Sequence, residues 1–321
     1  MTPRISIVVP THNRPVLLIE ALASIAAQTV DGWEAIVVDD ASEPPVDADA
    51  LRARLGRKIE VLRHAASRGG AAAKNTGLRA AAAPVVAFLD DDDLYDPRYV
   101  ERALIVLESH PELDVVFMGV THLGSRAEQA ERGYQTAMAN TLRRAAGVET
   151  DTDVVIFGVD LFGALLRSIP MAFQRPVVRR SALAVIGDYR EDCLLWDNDW
   201  ALRAALRGRS ALLNEPLYRQ RVHDGAYSSR GRQLEQLLSN VELKDRLLAT
   251  LRVAGASQQF AAARRAASEG WFALAYHYSV MGRQRDALSA WIASERRHPS
   301  LQRCKLLPRL VQRALFGVQS A

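Results

Sequence analysis

The first 120 residues alternate short apolar runs, rich in Val and Ile, with segments whose apolar residues recur at helical spacing. Short β-branched runs indicate buried strands, and the longer periodic segments indicate helices. The strands predicted in this way are 5–10, 33–40, 59–64, 84–91 and 113–119, and the helices between them are 16–28, 69–83 and 97–110. Alternation of this kind predicts an α/β domain with a mostly parallel central sheet flanked by helices.

Polar clusters follow three of the predicted strands. The sequence PTHNR ends the first strand, DDAS ends the second and DDDD ends the fourth. In open α/β sheets, ligands bind beyond the carboxyl ends of the strands. We therefore expect the three clusters to form one ligand site.

The acidic block Asp90–Asp93 places four carboxylates in a row. Two like charges at contact distance repel by about 1 kcal/mol in water and by more near a protein surface, so the block needs a counter-charge. Mg²⁺ or Mn²⁺ prefers oxygen ligands and is often held by one or two carboxylates and by phosphate oxygens. The alternative is an acidic cap on the helix that begins near Pro97. One aspartate would suffice for a cap, so the block favours a divalent metal site.

A glycine-rich segment, SRGGAAAKNTG at 67–77, opens the predicted helix 69–83. Free N–H groups and the helix dipole at such a terminus favour anions, and Arg68 and Lys74 add positive charge. The segment is neither a Walker loop nor a GxGxxG motif, but it is suited to a diphosphate.

Together these blocks resemble the successive signatures of family 2 inverting glycosyltransferases with the GT-A fold, over about residues 4–225. The resemblance implies a nucleoside diphosphate sugar donor, with UDP or dTDP favoured, and an Mn²⁺ or Mg²⁺ ion that bridges the two phosphates. It implies that the nucleotide is bound by Pro10, Thr11, Asn13, Asp40, Arg68, Lys74 and Asp91. It further implies Asp90 and Asp92 as metal ligands supported by Asp93, with His223 as a further metal or phosphate ligand and Arg221 as a phosphate contact.

An inverting transfer needs a general base for the acceptor hydroxyl. The family takes it from a Glu-Asp pair six residues before an arginine, and WDNDWALR at 196–203 fits this pattern with Asp197 as the base and Arg203 as the arginine. Trp196 stands where the family has Glu. Asp199 is the alternative base, and either aspartate could instead cap a helix.

The chain from 231 onward is predicted to be helical, which divides it into a transferase domain at 1–230 and an extension at 231–321. The extension holds fourteen Lys and Arg against six Asp and Glu, whereas residues 1–230 hold 27 against 31. Residues 271–300 resemble a tetratricopeptide-like hairpin. The basic, leucine-rich segment 301–317 predicts either packing against the protein or a peripheral contact with an anionic membrane.

Residues 120–175 are expected to form an irregular excursion over the rim of the sheet, and the acceptor is expected to meet 120–195.

Two isolated cysteines, Cys193 and Cys304, indicate neither a disulfide framework nor a zinc site. The N-terminus lacks a signal peptide. We therefore expect a cytoplasmic protein, with the inner face of the membrane as the alternative, and no nucleic-acid partner.

The expected reaction is sugar transfer to a glycan or lipid-linked hydroxyl acceptor in surface polysaccharide assembly. Three other classes of protein share some of these features. A sugar nucleotidyltransferase would carry a Gly-rich, Arg-containing loop after the first strand, where this chain has PTHNRP. A phospho-receiver would not explain the acidic block. A catalytically degenerate transferase domain that acts as a nucleotide-binding or interaction module is the alternative that Trp196 and the helical extension keep open.

Overall fold

A computed structural model describes residues 2–55, 59–150, 153–222 and 232–304. The chain divides into two compact units. The first comprises Met1–Asp192 and Trp196–Ala226, and the second comprises Cys193–Leu195 and Tyr227–Ala321. The first unit contains the whole sheet, so it is the unit that positions the predicted site.

The amino-terminal half of the first unit is a parallel α/β array, as the alternation of strands and helices predicts. Its elements are β1 (Ile5–Thr11), α1 (Pro15–Ala26), β2 (Trp33–Asp39), α2 (Ala48–Leu55), β3 (Ile59–Arg63), α3 (Gly70–Ala80) and β4 (Val85–Phe88). Strands β3, β2, β1 and β4 lie side by side in that order and are all parallel. Their carboxyl ends therefore share one edge of the sheet.

The rest of the first unit extends the same sheet with mixed polarity. Its elements are β5 (Leu94–Tyr95), α4 (Tyr99–Ser109), β6 (Val115–Leu123), α5 (Ala127–Ala145), β7 (Val148–Glu149), β8 (Val154–Phe157), α6 (Asp160–Leu165), β9 (Pro176–Arg179), α7 (Leu183–Ile186), α8 (Trp196–Ala205) and β10 (Ser210–Arg221). The order is β3-β2-β1-β4-β9-β6-β10-β8-β7, with β5 paired to β10. Strand β9 runs antiparallel to both β4 and β6, whereas β6 and β10 are parallel. This architecture confirms the predicted fold class.

The core lies on both faces of the parallel strands. Ile5, Ile7, Val8 and Val9 of β1 have no exposed surface, as expected for strands that helices cover on both sides. Helix α3 lies very close to β1 at Gly77. A Cβ atom at Gly77 would lie well inside van der Waals distance of the Val8 side chain. The absence of a side chain at Gly77 therefore sets the distance between this helix and the sheet.

The expectation of an irregular excursion at 120–175 is wrong for much of that region. Strand β6 continues to Leu123, and the 19-residue helix α5 follows it. Helix α5 buries only Tyr134, Met138, Thr141 and Ala145. These positions share one face of a helix, but two of the four side chains are small or polar, so the apolar stripe is faint in the sequence.

The described part of the second unit is helical, as predicted. Its helices are α9 (Gln233–Val253), α10 (Ser257–Val280), α11 (Gln284–Arg297) and α12 (Leu301–Cys304). Val241, Leu274, Ala275, Ala290 and Trp291 form its buried apolar cluster. Helices α10 and α11 form a hairpin that turns at Gly282, whose φ is +75°. The first helix of this hairpin begins at Ser257, well before residue 271.

None of the helices in the described residues has both the length and the apolar character that crossing a bilayer requires.

Candidate active site

The carboxyl ends of β1 and β4 bring Thr11 and the acidic block together. The Thr11 hydroxyl donates to Asp91 Oδ2 at 2.7 Å, and both side chains are buried. Burial raises the pKa of Asp91, although the Thr11 and Arg14 hydrogen bonds act in the opposite direction. The predicted convergence of the first and third polar clusters is therefore present in the structure.

Arg14 bridges two members of the acidic block, a role that the sequence analysis did not assign to it. One Arg14 terminal nitrogen donates to Asp91 Oδ1 at 2.9 Å and to Asp92 Oδ2 at 2.8 Å. Burial alone would lower the pKa of Arg14, but the attraction of Asp91 and Asp92 raises it above its ordinary value. Its place in PTHNRP, directly after a strand, was the sequence signal that could have identified it.

Two buried cations flank Asp90. Lys74 Nζ lies 3.1 Å from Asp90 Oδ1, and the Arg175 guanidinium lies 3.1 Å from Asp90 Oδ2. Both basic side chains are at most 5% exposed. Burial would raise the pKa of Asp90, but the two cations lower it to about 2. Arg175 precedes β9, more than 80 residues after the acidic block, and no local motif marks it.

Asp93 is held by strand β10. It accepts from the Tyr218 hydroxyl at 2.8 Å and from the backbone N–H of Arg221 at 2.7 Å. The Arg221 side chain donates to the Asp92 carbonyl at 3.0 Å, so this residue, which was expected at the phosphates, also supports the acidic block. Burial raises the pKa of Asp93 to about 7, although Arg175 acts in the opposite direction. His223 lies outside the described residues.

An aromatic cage surrounds the Lys74 ammonium. Nζ lies 4.4 Å from the ring centroid of Trp196, 5.6 Å from that of Tyr189 and 5.7 Å from that of Phe88. A cation over aromatic faces is stabilised by the ring quadrupoles, most strongly by Trp. The residue that departs from the family pattern, Trp196, therefore covers a buried lysine.

Trp196 also packs closely on the start of α3, where a Cβ atom at Gly70 would lie 3.2 Å from Trp196 Cζ2.

The structure separates the two candidate bases. Asp197 Oδ1 lies 3.5 Å from Lys74 Nζ and accepts no hydrogen bond within the described part of the chain. Burial raises the pKa of Asp197 to about 6; Lys74 lowers this pKa and Asp90 raises it. A partly buried carboxylate with a raised pKa and an oxygen that accepts no hydrogen bond is suited to accept a proton near neutral pH.

Asp199 is engaged in structural contacts instead. Its Oδ2 accepts from Arg203 Nε at 2.8 Å, and its Oδ1 lies 3.7 Å from Arg190 Nε. Arg203 also donates to the carbonyls of Ile186 and Asp188. This pair therefore fastens α8 to the segment that precedes it.

Asp40 accepts four hydrogen bonds from the protein. Its donors are the backbone N–H groups of Arg68 and Gly69, each at 2.8 Å, and the side chains of Ser67 and His64, each at 2.7 Å. Burial would raise the pKa of Asp40, but these donors lower it to about 2. Four donors fill the acceptor positions of a carboxylate, so a nucleobase could contact Asp40 only by displacing one of them.

The other predicted nucleotide residues lie around this edge without joining the ionic cluster. Pro10 pairs with Val38 in the sheet. Asn13 accepts from the backbone of Glu43 at 2.7 Å, and its own N–H donates to Ser42. Arg68 pairs with Glu191 at 2.9 Å on the surface.

The chemistry of the acidic block fits a divalent cation. Among the described residues no group of three His, Cys, Asp or Glu side chains is arranged to hold a metal ion. Nucleotide-linked Mg²⁺ needs only one or two protein carboxylates, because phosphate oxygens and water complete its coordination. Asp90 and Asp92 supply hard oxygen donors of this kind at the strand edge. Both Asp90 oxygens and Asp92 Oδ2 face Lys74, Arg175 and Arg14, so a cation would displace part of these contacts.

Comparison with known proteins gives the family. The model for glycosyl transferase family 2 matches residues 6–166. The O-antigen biosynthesis protein RfbC of Myxococcus xanthus is 30% identical over 241 residues, which cover 73% of this chain and 17% of that protein. An uncharacterized glycosyltransferase of Bacillus subtilis, YwdF, is 35% identical over 35% of this chain and 43% of its own length. The chain thus spans less than half the length of these curated relatives.

Solved structures share the fold. The S. aureus TarS fragment 1–349 has a TM-score of 0.63 and 18% identity, over 99% of this chain and 88% of that one. The Pyrobaculum calidifontis mannosyltransferase PcManGT, solved with GDP-Man and Mn²⁺, has a TM-score of 0.55 and 17% identity, over 98% and 81% of the two chains. The family match covers half of the chain and includes the strands that carry the acidic block. This protein is a member of glycosyl transferase family 2.

Proposed function

We propose that the protein transfers a sugar, with inversion, from a nucleoside diphosphate sugar to a hydroxyl acceptor. The observation that carries this proposal is the position of Lys74, whose ammonium contacts both Asp90 in the acidic block and Asp197 on α8. A donor bound at the acidic block would therefore lie beside a partly buried carboxylate that can act as a base. Proximity of base and donor is the geometry that an inverting displacement requires.

Asp197 is the proposed base. It would take the proton of the acceptor hydroxyl while the hydroxyl oxygen bonds to the anomeric carbon and the bond from that carbon to the diphosphate breaks. Lys74 keeps Asp197 in place and favours its ionised form. Asp199 and Arg203 would act only by positioning α8. These proposed roles differ from the predicted contact of Lys74 with the phosphates, and they favour Asp197 over Asp199 as the base.

Asp90 and Asp92 are the proposed ligands of Mn²⁺ or Mg²⁺, which when bound would stabilise the charge of the departing diphosphate. Thr11 and Arg14 would hold Asp91 and Asp92 in place. Asp40 would shape the 67–69 turn, where Gly69 and Gly70 begin α3, instead of reading the base. Pro10, Asn13 and Arg68 remain proposed nucleotide contacts at the rim, and Asp91 remains the proposed ribose contact.

UDP is the favoured nucleotide. S. aureus TarS has been solved with UDP and with UDP-GlcNAc and has the same fold as this chain, which supports a nucleotide-sugar donor. RfbC belongs to O-antigen biosynthesis, which supports a glycan or lipid-linked acceptor in surface polysaccharide assembly. The proposed donor and the proposed acceptor both rest on similarity to these proteins.

The proposed domain boundary lies between 230 and 231. The α10–α11 hairpin is the proposed tetratricopeptide-like element. We propose a cytoplasmic location, with a peripheral contact at the inner face of the membrane through the basic segment 301–317 as the alternative. Most of that segment lies outside the described residues.

The first experiment is a calorimetric titration of the full chain with UDP, with and without Mn²⁺. Asp92→Ala should abolish the metal-dependent binding. Asp49→Ala is the matched control, because Asp49 is an almost fully exposed aspartate paired only with Arg52 on the surface. Binding that Asp92→Ala leaves intact, or no binding of UDP, dTDP or GDP with either metal, would overturn the donor site. Binding without hydrolysis or transfer of any UDP- or dTDP-sugar would favour the degenerate, nucleotide-binding module.

A further inference from the structure

An open groove of about 350 Å³ lies among helices α9, α10 and α11 of the second unit. Four arginines line it, namely Arg252, Arg264, Arg296 and Arg297. Its volume is within the range of small-molecule sites. Asp245 is the single acidic residue in the lining.

Asp245 is already neutralised within the protein. Arg297 binds it with two nitrogens, Nε at 2.7 Å from Asp245 Oδ1 and a terminal nitrogen on Oδ2. Trp271 Nε1 also donates to Asp245 Oδ2 at 3.1 Å, and the Trp271 ring lies 4.8 Å from the Arg297 guanidinium. Arg297 and Asp245 therefore neutralise each other, and this ion pair contributes no net charge to the groove.

The other three arginines have no acidic partner among the described residues. Arg264 donates Nε to the Arg297 carbonyl, and no acidic group in the described part of the chain lies within ion-pair distance of Arg252, Arg264 or Arg296. Three like charges around one concavity repel one another, and a bound anion would relieve that repulsion. Guanidinium groups bind phosphate oxygens in a planar, two-point geometry.

The rest of the lining is apolar. Leu248 and Ala249 come from α9, and Phe260 comes from the first turn of α10. Leu248 and Phe260 are partly buried, so they present apolar surface inside a ring of positive charge. This combination suits a ligand whose anionic head is joined to an apolar group.

We propose that this groove binds a phosphate monoester or diester that carries an apolar substituent. Arg252, Arg264 and Arg296 hold the phosphate, and Leu248 and Phe260 contact the substituent. The ligand reaches the groove either as a soluble amphiphile or as the headgroup of a lipid. The site is built wholly within the second unit and does not depend on the proposed donor site.

Calorimetry of the full chain with hexyl phosphate tests the proposal, in the presence of saturating UDP and Mn²⁺ so that the donor site is filled. The double variant Arg252→Ala/Arg296→Ala should weaken binding at least about tenfold, because it removes two charged hydrogen-bond donors. Arg285→Ala on α11 is the matched control, since Arg285 is exposed and outside the groove, and it should bind as the wild type does. Inorganic phosphate should bind more weakly than hexyl phosphate.

Vesicle sedimentation identifies the source of the ligand. Binding to vesicles of phosphatidylcholine with phosphatidic acid, lost in the double variant, assigns the groove to a lipid headgroup. Binding of hexyl phosphate without groove-dependent vesicle binding assigns it to a soluble ligand. Equal binding by the double variant and the wild type, or no binding of either probe, overturns the proposal. UDP titrations of Asp92→Ala report separately on the donor site, so failure of one site is distinguishable from failure of the other.

Discussion

The acidic block and the arginine groove handle charge in opposite ways. The carboxylates of Asp90–Asp93 contact basic side chains, hydroxyl groups and a backbone donor from other parts of the same unit, and the two cations beside Asp90, Lys74 and Arg175, are almost fully buried. In the groove, by contrast, three exposed arginines have no acidic partner within the described part of the chain. The first region balances its charge before any ligand arrives, whereas the second would receive its counter-charge from the ligand.

This difference separates two kinds of site. Charges that are buried and paired hold a fixed geometry, and removal of one partner leaves another charge uncompensated. Exposed and unpaired charges add little to stability but remain available to bind. Substitutions in the acidic site should therefore change stability and turnover, and substitutions in the groove should change binding alone.

The largest effect is expected from Asp197→Asn. Loss of a general base slows a reaction by about 10²- to 10⁴-fold, whereas UDP binding should stay within about twofold because Asp197 does not contact the nucleotide in the proposed arrangement. Steady-state turnover of the donor and calorimetry with UDP measure the two quantities. Asp199→Asn is the comparison. It should lower the melting temperature and leave the turnover of the folded fraction close to that of the wild type. Turnover that survives Asp197→Asn but not Asp199→Asn would reverse the assignment.

Lys74→Met should lower the free energy of unfolding by about 3–5 kcal/mol, because it removes a buried ammonium and leaves the partly buried Asp90 and Asp197 without their shared cation. Lys244→Met is the control. Lys244 is also buried, but burial lowers its pKa and only the charge of Glu269 acts against this, so its replacement should cost much less. Urea denaturation at neutral pH measures both variants. Equal losses of unfolding free energy in the two variants would mean that Lys74 stabilises the fold through its burial and not through its contacts with Asp90 and Asp197.

The pH dependence of turnover should show a limb near pH 6, where Asp197 has its raised pKa. Below this pH the base is protonated, so the rate should fall about tenfold per pH unit. The free energy of unfolding should instead increase as the pH falls through this range. A pKa above the ordinary value means that the folded state binds the proton more tightly, so Asp197 contributes increasing stability as pH falls from about 6 towards its unfolded pKa near 4. A rate profile that is flat from pH 5 to 8 would argue against Asp197 as the base.

Trp196→Leu tests the aromatic cage with a smaller effect. The loss of the ring over Lys74 should cost about 1–2 kcal/mol of unfolding free energy, and Trp196→Phe should restore part of it. Differential scanning calorimetry of the two variants measures the difference. If both variants lose the same amount, the contribution of Trp196 is packing against Gly70 and not attraction to the ammonium.

The smallest effect is expected from Arg252→Ala/Arg296→Ala. Exposed side chains without partners should change the free energy of unfolding by less than about 0.5 kcal/mol. Urea denaturation alongside the wild type checks this value. A loss comparable to that of Lys74→Met would show that these arginines hold the helices together, and the contrast between the two regions would fail.

The sequence predicts which polar residues lie at the strand ends, but it predicts poorly which other residues contact them. Periodicity placed Thr11 and Asp90–Asp93 at the ends of strands, and parallel topology then required them to converge. Arg175 could not be found in this way, because it lies just before β9, more than 80 residues after the acidic block, and has no motif around it. The role of Asp40 in DDAS also could not be assigned from sequence, since only the structure shows that Asp40 accepts four hydrogen bonds. Helix α5 was missed because its buried face is largely small or polar.

Gly77 carries a consequence for anyone who maps this protein by random mutagenesis. It lies on α3 three residues after Lys74, and its missing side chain lets that helix rest against Val8. A methyl group there would push the helix outward and draw the ammonium away from both aspartates. A survey that scores only lost activity would therefore rank Gly77 with the reactive residues, although it has no functional group to contribute and serves as a spacer.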